Sequence, residues 1–592
     1  MRRLSFVTST CAGTIAALLS ALAPASELDR ALALVPPDAI AFVIVPSPKR
    51  ASDDLEQCIE RMNRPEAALG GRPIDQLKAR FGMSASFDDK GAVALSVRSP
   101  LDGKGEPRAV LSLPATDPKA FVEGNLRAAP DIAPDAYRTS DNRVVYATLG
   151  QTHVHLSTDP AAVRDFDAGA GVADGVRKRL GERGAALLAK GDIVAWAGRD
   201  AIRAAMASAA EEAARQTPSD APFAAQARDM QATATRLLEG LENGLVVVDI
   251  DPLGLGLRSY ATFTEGSELA ELATGGKDRA VAFDRMPRNP FYAAVRVDFD
   301  GLGGGAALER LLAKLPGQPT LPAWLDRSKD AIRSMQLAIY PSRMGLAVGG
   351  LLNDSALFLE TESPDAVRDG MRDAILATKG ELGGLRREPK WEADRTLKSG
   401  EVTDAFEIVE TVTASKDASP SDLSMQRIIS QAIYGSRGFV GFVKRQRGGL
   451  VMTFSQRADV LERATKVTTG APSLAGDAQL AAYREWLIDR PELAQADIEG
   501  FLGVGQFGKL LQQIASLVPG GEGIQLPQIP TSVEPVAGAL EVDRGTVETA
   551  IVIPSGVLAL GFDQIRRQLL GTGPAPAPAP KRDGGEPGGA AQ

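Results

Sequence analysis

Histidine and cysteine are nearly absent, with two of each in 592 residues. The shortage removes much chemistry at the outset. A Ser-His-Asp or Cys-His system needs an imidazole beside its nucleophile, and only His153 and His155 are available. No CxxC, HExxH, GxSxG or SxxK pattern occurs, which excludes the metal, redox and acyl-transfer chemistries those spacings serve. Aromatic residues make up 5% of the chain, too few for a platform that stacks bases or sugars. The formal net charge is -9, which disfavours nucleic acid and anionic membrane surfaces as partners. Beyond the first 25 residues no run approaches the ~18 apolar residues of a spanning helix. No transmembrane segment is expected in the mature chain.

What is present describes a folded protein. Hydrophobic residues account for 44% and charged residues for 24%, and the length allows several domains. Arg2 and Arg3, the apolar run Cys11 to Leu22, and Ala23-Pro24-Ala25 have the order of a signal peptide with a small-x-small cleavage site. Residues 1–25 are therefore expected to be removed, leaving a periplasmic or extracellular protein. Cys58 is then the one remaining thiol, and no internal disulfide is possible. It shares a helical spacing with Leu55, Ile59 and Met62, which predicts a buried thiol.

The chain carries recurrent units. A Pro-containing turn, an apolar strand and an amphipathic helix occur in order three times. The turns are at Pro36-Pro37, Met286-Pro287 and Arg490-Pro491. The strands are Ala39 to Val45, Phe291 to Phe299 and Ile498 to Leu502. The helices follow, near Ser52 to Met62, with Leu308, Leu311, Leu312 and Leu315, and with Leu511, Ile514 and Leu517 or Val518 on one face. Strand-cap-helix signatures recur at Thr116-Asp117-Pro118, Thr158-Asp159-Pro160 and Ser363-Pro364. There an Asp or Ser side chain is placed to cap a helix that opens on proline. Further strands are expected at Val144 to Leu149, Val246 to Ile250, Gly256 to Phe263, Gly345 to Gly349, Ala405 to Val412 and Leu450 to Ser455. An Ala-rich helical region should span Asp200 to Glu242, broken at Gln216 to Ser219.

The expected class is α+β: repeated strand–helix modules with mixed or antiparallel sheets. Two larger modules, 26–278 and 279–470, precede a shorter third, 471–570. The tail 571–592, with its Pro/Ala run from Pro574 to Pro580 and Gly-rich end, cannot bury a core. Ser415 to Ser424 reads as a loop, and Lys444 to Arg447 as a polar turn between strands.

Two patterns imitate functional sites. Gly503, Gly505 and Gly508 match GxGxxG between a strand and a helix, the setting of a dinucleotide fingerprint. The turns at the same place in the other units are Pro46 to Arg50 and Asp300 to Gly305, so backbone freedom explains the glycines better than phosphate binding. His153 and His155 are an x-spaced pair on one strand, so both rings share a face and form a candidate metal site. A two-residue turn at Gly150-Gln151 would set Thr148 against His153 and Tyr146 against His155. That places both rings on the polar, solvated side of the hairpin, with Asp141 and Asp159 nearby as possible further ligands.

The stretches Leu34 to Val45, the Thr-Asp-Pro units, Leu357 to Val367 and Ser473 to Leu511 resemble exported bacterial proteins grouped as a domain of unknown function, type 3352. The resemblance implies export and a repeated α+β architecture and carries over no functional residue. The expectation is a non-enzymatic envelope protein, without a cofactor, that binds or scaffolds an unknown envelope protein or an apolar ligand held between modules. The alternative is a metal-dependent hydrolase built on His153 and His155.

Overall fold

A computed structural model describes residues 27–561 apart from short gaps and the stretches 217–231, 273–282, 305–329, 413–429, 484–495 and 518–528. The expected signal peptide, C-terminal tail, Ser415–Ser424 loop and helix at Leu308 to Leu315 lie outside the described residues.

Among the described residues helices and antiparallel strands alternate, and the strands join one ladder of 21. The first ten are β1 (Ala39–Val45), β2 (Val93–Arg98), β3 (Arg108–Pro114), β4 (Arg127–Ala128), β5 (Ala136–Arg138), β6 (Val144–Leu149), β7 (His153–Ser157), β8 (Ile193–Gly198), β9 (Leu241–Asp251) and β10 (Gly254–Phe263). The next eight are β11 (Ala293–Asp298), β12 (Ile332–Ile339), β13 (Ser355–Thr361), β14 (Gly380–Leu382), β15 (Leu385–Thr396), β16 (Val402–Val412), β17 (Phe439–Gln446) and β18 (Gly449–Phe454). The last three are β19 (Ile498–Leu502), β20 (Val536–Asp543) and β21 (Thr546–Pro554).

The middle of the ladder is the pair β10–β21. One arm runs outward from β10 through β9, β8, β1, β2, β3, β7, β6, β5 and β4. The other runs from β21 through β20, β19, β11, β12, β13, β18, β17, β16, β15 and β14. The residues expected to form a third module therefore do not make a sheet of their own. Strands β19 to β21 complete the arm that β11 begins.

Alternation along each strand gives the ladder two faces. On the first, Phe42, Ile44, Trp196 and Leu245 pack beneath Leu32, Val176, Leu180 and Leu188 from the helices Glu27–Leu32 and Gly171–Leu188. Ala294, Phe501, Ala537 and Val552 continue the same face beneath Phe283, Met286 and Leu474. Arg183 reaches from the Gly171–Leu188 helix to Glu541 and Glu548 and so ties the two arms together. On the second face of the β11 arm, Val367, Met371 and Ile375 of the helix Pro364–Ala377 pack on Leu357, Leu359 and Met452.

Local signals were legible where side-chain period and turn chemistry agreed. Strands Ala39–Val45, Val144–Leu149 and Ile498–Leu502 form with the expected bounds. Asp117 accepts from the Lys119 and Ala120 amides at 3.0 Å, and Asp159 from Ala161 at 2.9 Å. Ser363 makes no such bond, so Pro364 alone marks that helix start. Leu346–Gly349 is a short helix where a strand was expected. The Ala-rich region yields to β9 before Glu242. Leu511 and Ile514 are exposed, whereas Leu510 of the helix Val504–Leu517 is buried. Lys444 and Arg445 lie within β17 and pair with Glu401 and Asp365, so the turn itself falls at Arg447-Gly448.

Candidate functional site

The second face of the β1 arm is hollow. A cavity of about 470 Å3 lies between the strands and the helices Pro48–Arg61, Pro73–Phe81 and Pro118–Asn125. Its floor is made by Val45, Val93, Leu111, Leu113, Leu156 and Ile193. Pairing across the ladder puts these residues on one face: Val45 faces Val93, Leu111 faces Leu156, Leu113 faces Val154 and Ile193 faces Val248. Ala51, Leu55, Ile74 and Phe121 close it from the helices.

Of the polar residues in the wall, Ser52, Lys78, Asn125 and Thr139 are bonded within the protein, and Ser140 is exposed. Ser52 Oγ accepts from the Ile74 amide at 3.1 Å. Asn125 donates to Ala85 O at 2.8 Å and to Phe121 O at 2.7 Å. Lys78 Nζ sits 2.9 Å from Asp89 and over the Phe87 ring, and its hydrogen bond holds the Asp89 carboxyl below its ordinary range. Nothing in the lining requires a polar atom from a ligand, so the space suits hydrocarbon.

The other arm shows why the space exists. Helices Pro118–Asn125 and Pro364–Ala377 follow β3 and β13, which hold the same place in their arms. The second helix has 14 residues and lays Val367, Met371 and Ile375 on the sheet. The first has 8 and lays down Phe121 and Val122. A helix shorter by almost two turns leaves part of the sheet face without a partner.

No family model matches the sequence, and no curated protein matches it. Among solved structures, crystal form I of TP0453 is similar at 10% identity, over 49% of this chain and 99% of that one, with a TM-score of 0.20. At that level the likeness says nothing about function.

The histidine pair lies on the opposite face from the cavity. The β6–β7 turn is longer than Gly150-Gln151: Thr148 faces His155 and Ala147 faces Leu156. A shift of two residues keeps every side chain on its expected face. That face is not solvated, however. His155 is 6% exposed, beneath the Phe166 ring at 4.4 Å, with Nδ1 2.9 Å from the Ser112 hydroxyl. His153 Nε2 donates to Ala92 O at 3.0 Å, and Thr152 Oγ1 bonds its Nδ1 at 2.9 Å. Both nitrogens of His153 are therefore in use. Asp141 bonds Thr139 and Arg143, and Asp159 caps its helix. Among the described residues no group of three His, Cys, Asp or Glu side chains is placed to hold a metal. Ser112 and His155 form a buried pair that the sequence did not reveal, and Ser112 is closed to solvent.

Burial, and then the neighbouring His153, push the His155 pKa down to about 4. The unfolded chain binds this proton near pH 6.5, so between about pH 6.5 and 4 the unfolded state holds more protons. The contribution is complete above that window and is lost as pH falls through it. Over the window the loss should reach about 3 kcal/mol. Urea midpoints measured from pH 7 to 4 should fall less steeply in His155→Gln. Parallel curves for the variant and parent would refute the assignment.

The glycine fingerprint has a packing explanation. A Cβ on Gly503 would lie 2.2 Å from Phe291 O, and one on Gly505 would lie 2.4 Å from Pro530 O. The protein's own chain occupies the space at these glycines. Cys58 is fully buried, and burial pushes its thiol pKa up. Polar depressions of about 600 and 560 Å3 in the other arm share Glu407 and Arg437. In the larger one, Glu410 is engaged by Arg387 and Ser430.

Proposed function

We propose that this chain is a non-enzymatic, exported binding protein of the bacterial envelope, and that its ligand is an apolar molecule seated in the β1-arm cavity. The observation that carries the reading is a largely hydrocarbon-lined space in which the wall groups Ser52, Lys78, Asn125 and Thr139 are bonded within the protein. The site lies inside one arm, between its sheet and helices, and not between modules. The like order of strands in the two arms supports a duplicated unit in which one copy is packed solid and the other keeps a void. The N-terminal charge and apolar pattern supports export. Among the described residues no helix is long and apolar enough to cross a membrane.

The size fits a single long chain. At about 30 Å3 per water-sized group, the space takes roughly fifteen methylenes. Burying these yields about 12 kcal/mol, and association costs roughly 4 kcal/mol or more. The difference corresponds to an affinity near the micromolar range. Titration of purified mature protein with a fluorescent fatty acid should show saturable binding of one equivalent at micromolar concentration, displaced by unlabelled chains. Absence of saturable binding, together with no lipid in a solvent extract of the protein, would remove this reading.

A further inference from the structure

We infer that the ligand is a two-chain lipid, with one chain in the cavity and the second laid across an open apolar strip of the same sheet face. This rests on the cavity reading above. The strip begins in the cavity wall. Val45 and Val93 line the cavity, and the next pair on that face, Val43 and Leu95, is 39% and 37% exposed. Val43 also faces Ala195, which faces Val246, 38% exposed. From Ile193, another cavity residue, the row passes through Val248 to Leu257 and Ile551, 40% and 41% exposed.

The strip thus crosses β2, β1, β8, β9, β10 and β21, a span of about 24 Å at ~4.8 Å per strand spacing. Beyond Ile551 the same row is glycine, at Gly538 and Gly500, so the apolar side chains stop there. A contiguous apolar strip at the surface marks a contact site. Its strands already pair on both sides, so it offers no free edge for an added peptide strand. Continuity with the cavity wall points to one molecule that occupies both. The cavity alone holds about one chain, which leaves the strip for the second.

The test uses the full mature chain and monomeric phosphatidylcholines with one or two chains of equal length, each below its micelle concentration. The two-chain lipid should bind about tenfold or more tightly. Leu257→Asp should abolish that advantage and leave single-chain binding unchanged. Leu257→Thr, which keeps a strand-forming residue, should reduce the advantage with less risk to folding. Equal affinity of the two lipids for the parent, or an advantage that survives both variants, would overturn the two-chain assignment while the cavity reading stands. If neither lipid binds, the cavity reading itself fails.

Discussion

Arg296→Ala is expected to cost about 3–5 kcal/mol of stability, because it removes a charge partner from a buried carboxylate. Arg296 on β11 lies directly opposite Glu499 on β19. Their side chains are 4% and 7% exposed, with Nε 2.7 Å from Oε2. Removing the guanidinium takes away the positive charge that faces Glu499 across the two strands, at a place nearly closed to solvent. The pair itself is not an optimal device, since Arg296 Nη1 is buried without a hydrogen-bond acceptor. Replacing both residues together, Arg296→Met with Glu499→Leu, should therefore recover most of the loss. The measurement is the urea midpoint and slope of the parent, the single variant and the double variant. A single variant within about 1 kcal/mol of the parent would mean that water reaches Glu499 and that the site is not the closed one described.

The same pair shows what a sequence can and cannot reveal. Strand β19 was legible from its apolar alternation after Arg490-Pro491, but its partner strands were not. Register across 203 residues depends on which faces bury each other, and no local pattern encodes that. Strand β15 illustrates a second limit. Leu385–Thr396 is largely charged and contains Pro389, yet it pairs along its length with the apolar β16. Charge on such an outer strand protects against edge pairing and hides the strand from any search for alternation.

The histidines were placed on the correct face with the wrong surroundings, because Phe166 and the short helix Pro160–Arg164 fold back over that side. The cavity left one readable trace. Phe42 and Ile44 alternate with Val43 and Val45, so β1 is apolar on both faces. A strand of that kind needs two covering layers. The eight-residue helix after Asp117 is too short to supply the second one in full, but the shortfall becomes visible only beside the longer helix of the other arm.

Ala51→Phe should weaken ligand binding without weakening the protein. Ala51 lies on the helix Pro48–Arg61 and lines the cavity. A ring added there enters empty volume, so it buries apolar surface without displacing a packed neighbour. The ligand-free variant should gain about 1–2 kcal/mol, while fatty-acid affinity falls about tenfold to a hundredfold through lost volume. Opposite signs are the diagnostic feature, because a variant that simply misfolds loses both properties. Thermal melts separate the cases. At a ligand concentration of about 100 times the parent's Kd the parent should gain roughly 2.7 kcal/mol, and the variant only about 0.4–1.4 kcal/mol. A variant whose melting point rises with ligand as much as the parent's would place the binding site elsewhere. A parent that shows no rise would leave the void as a packing defect of the shorter helix.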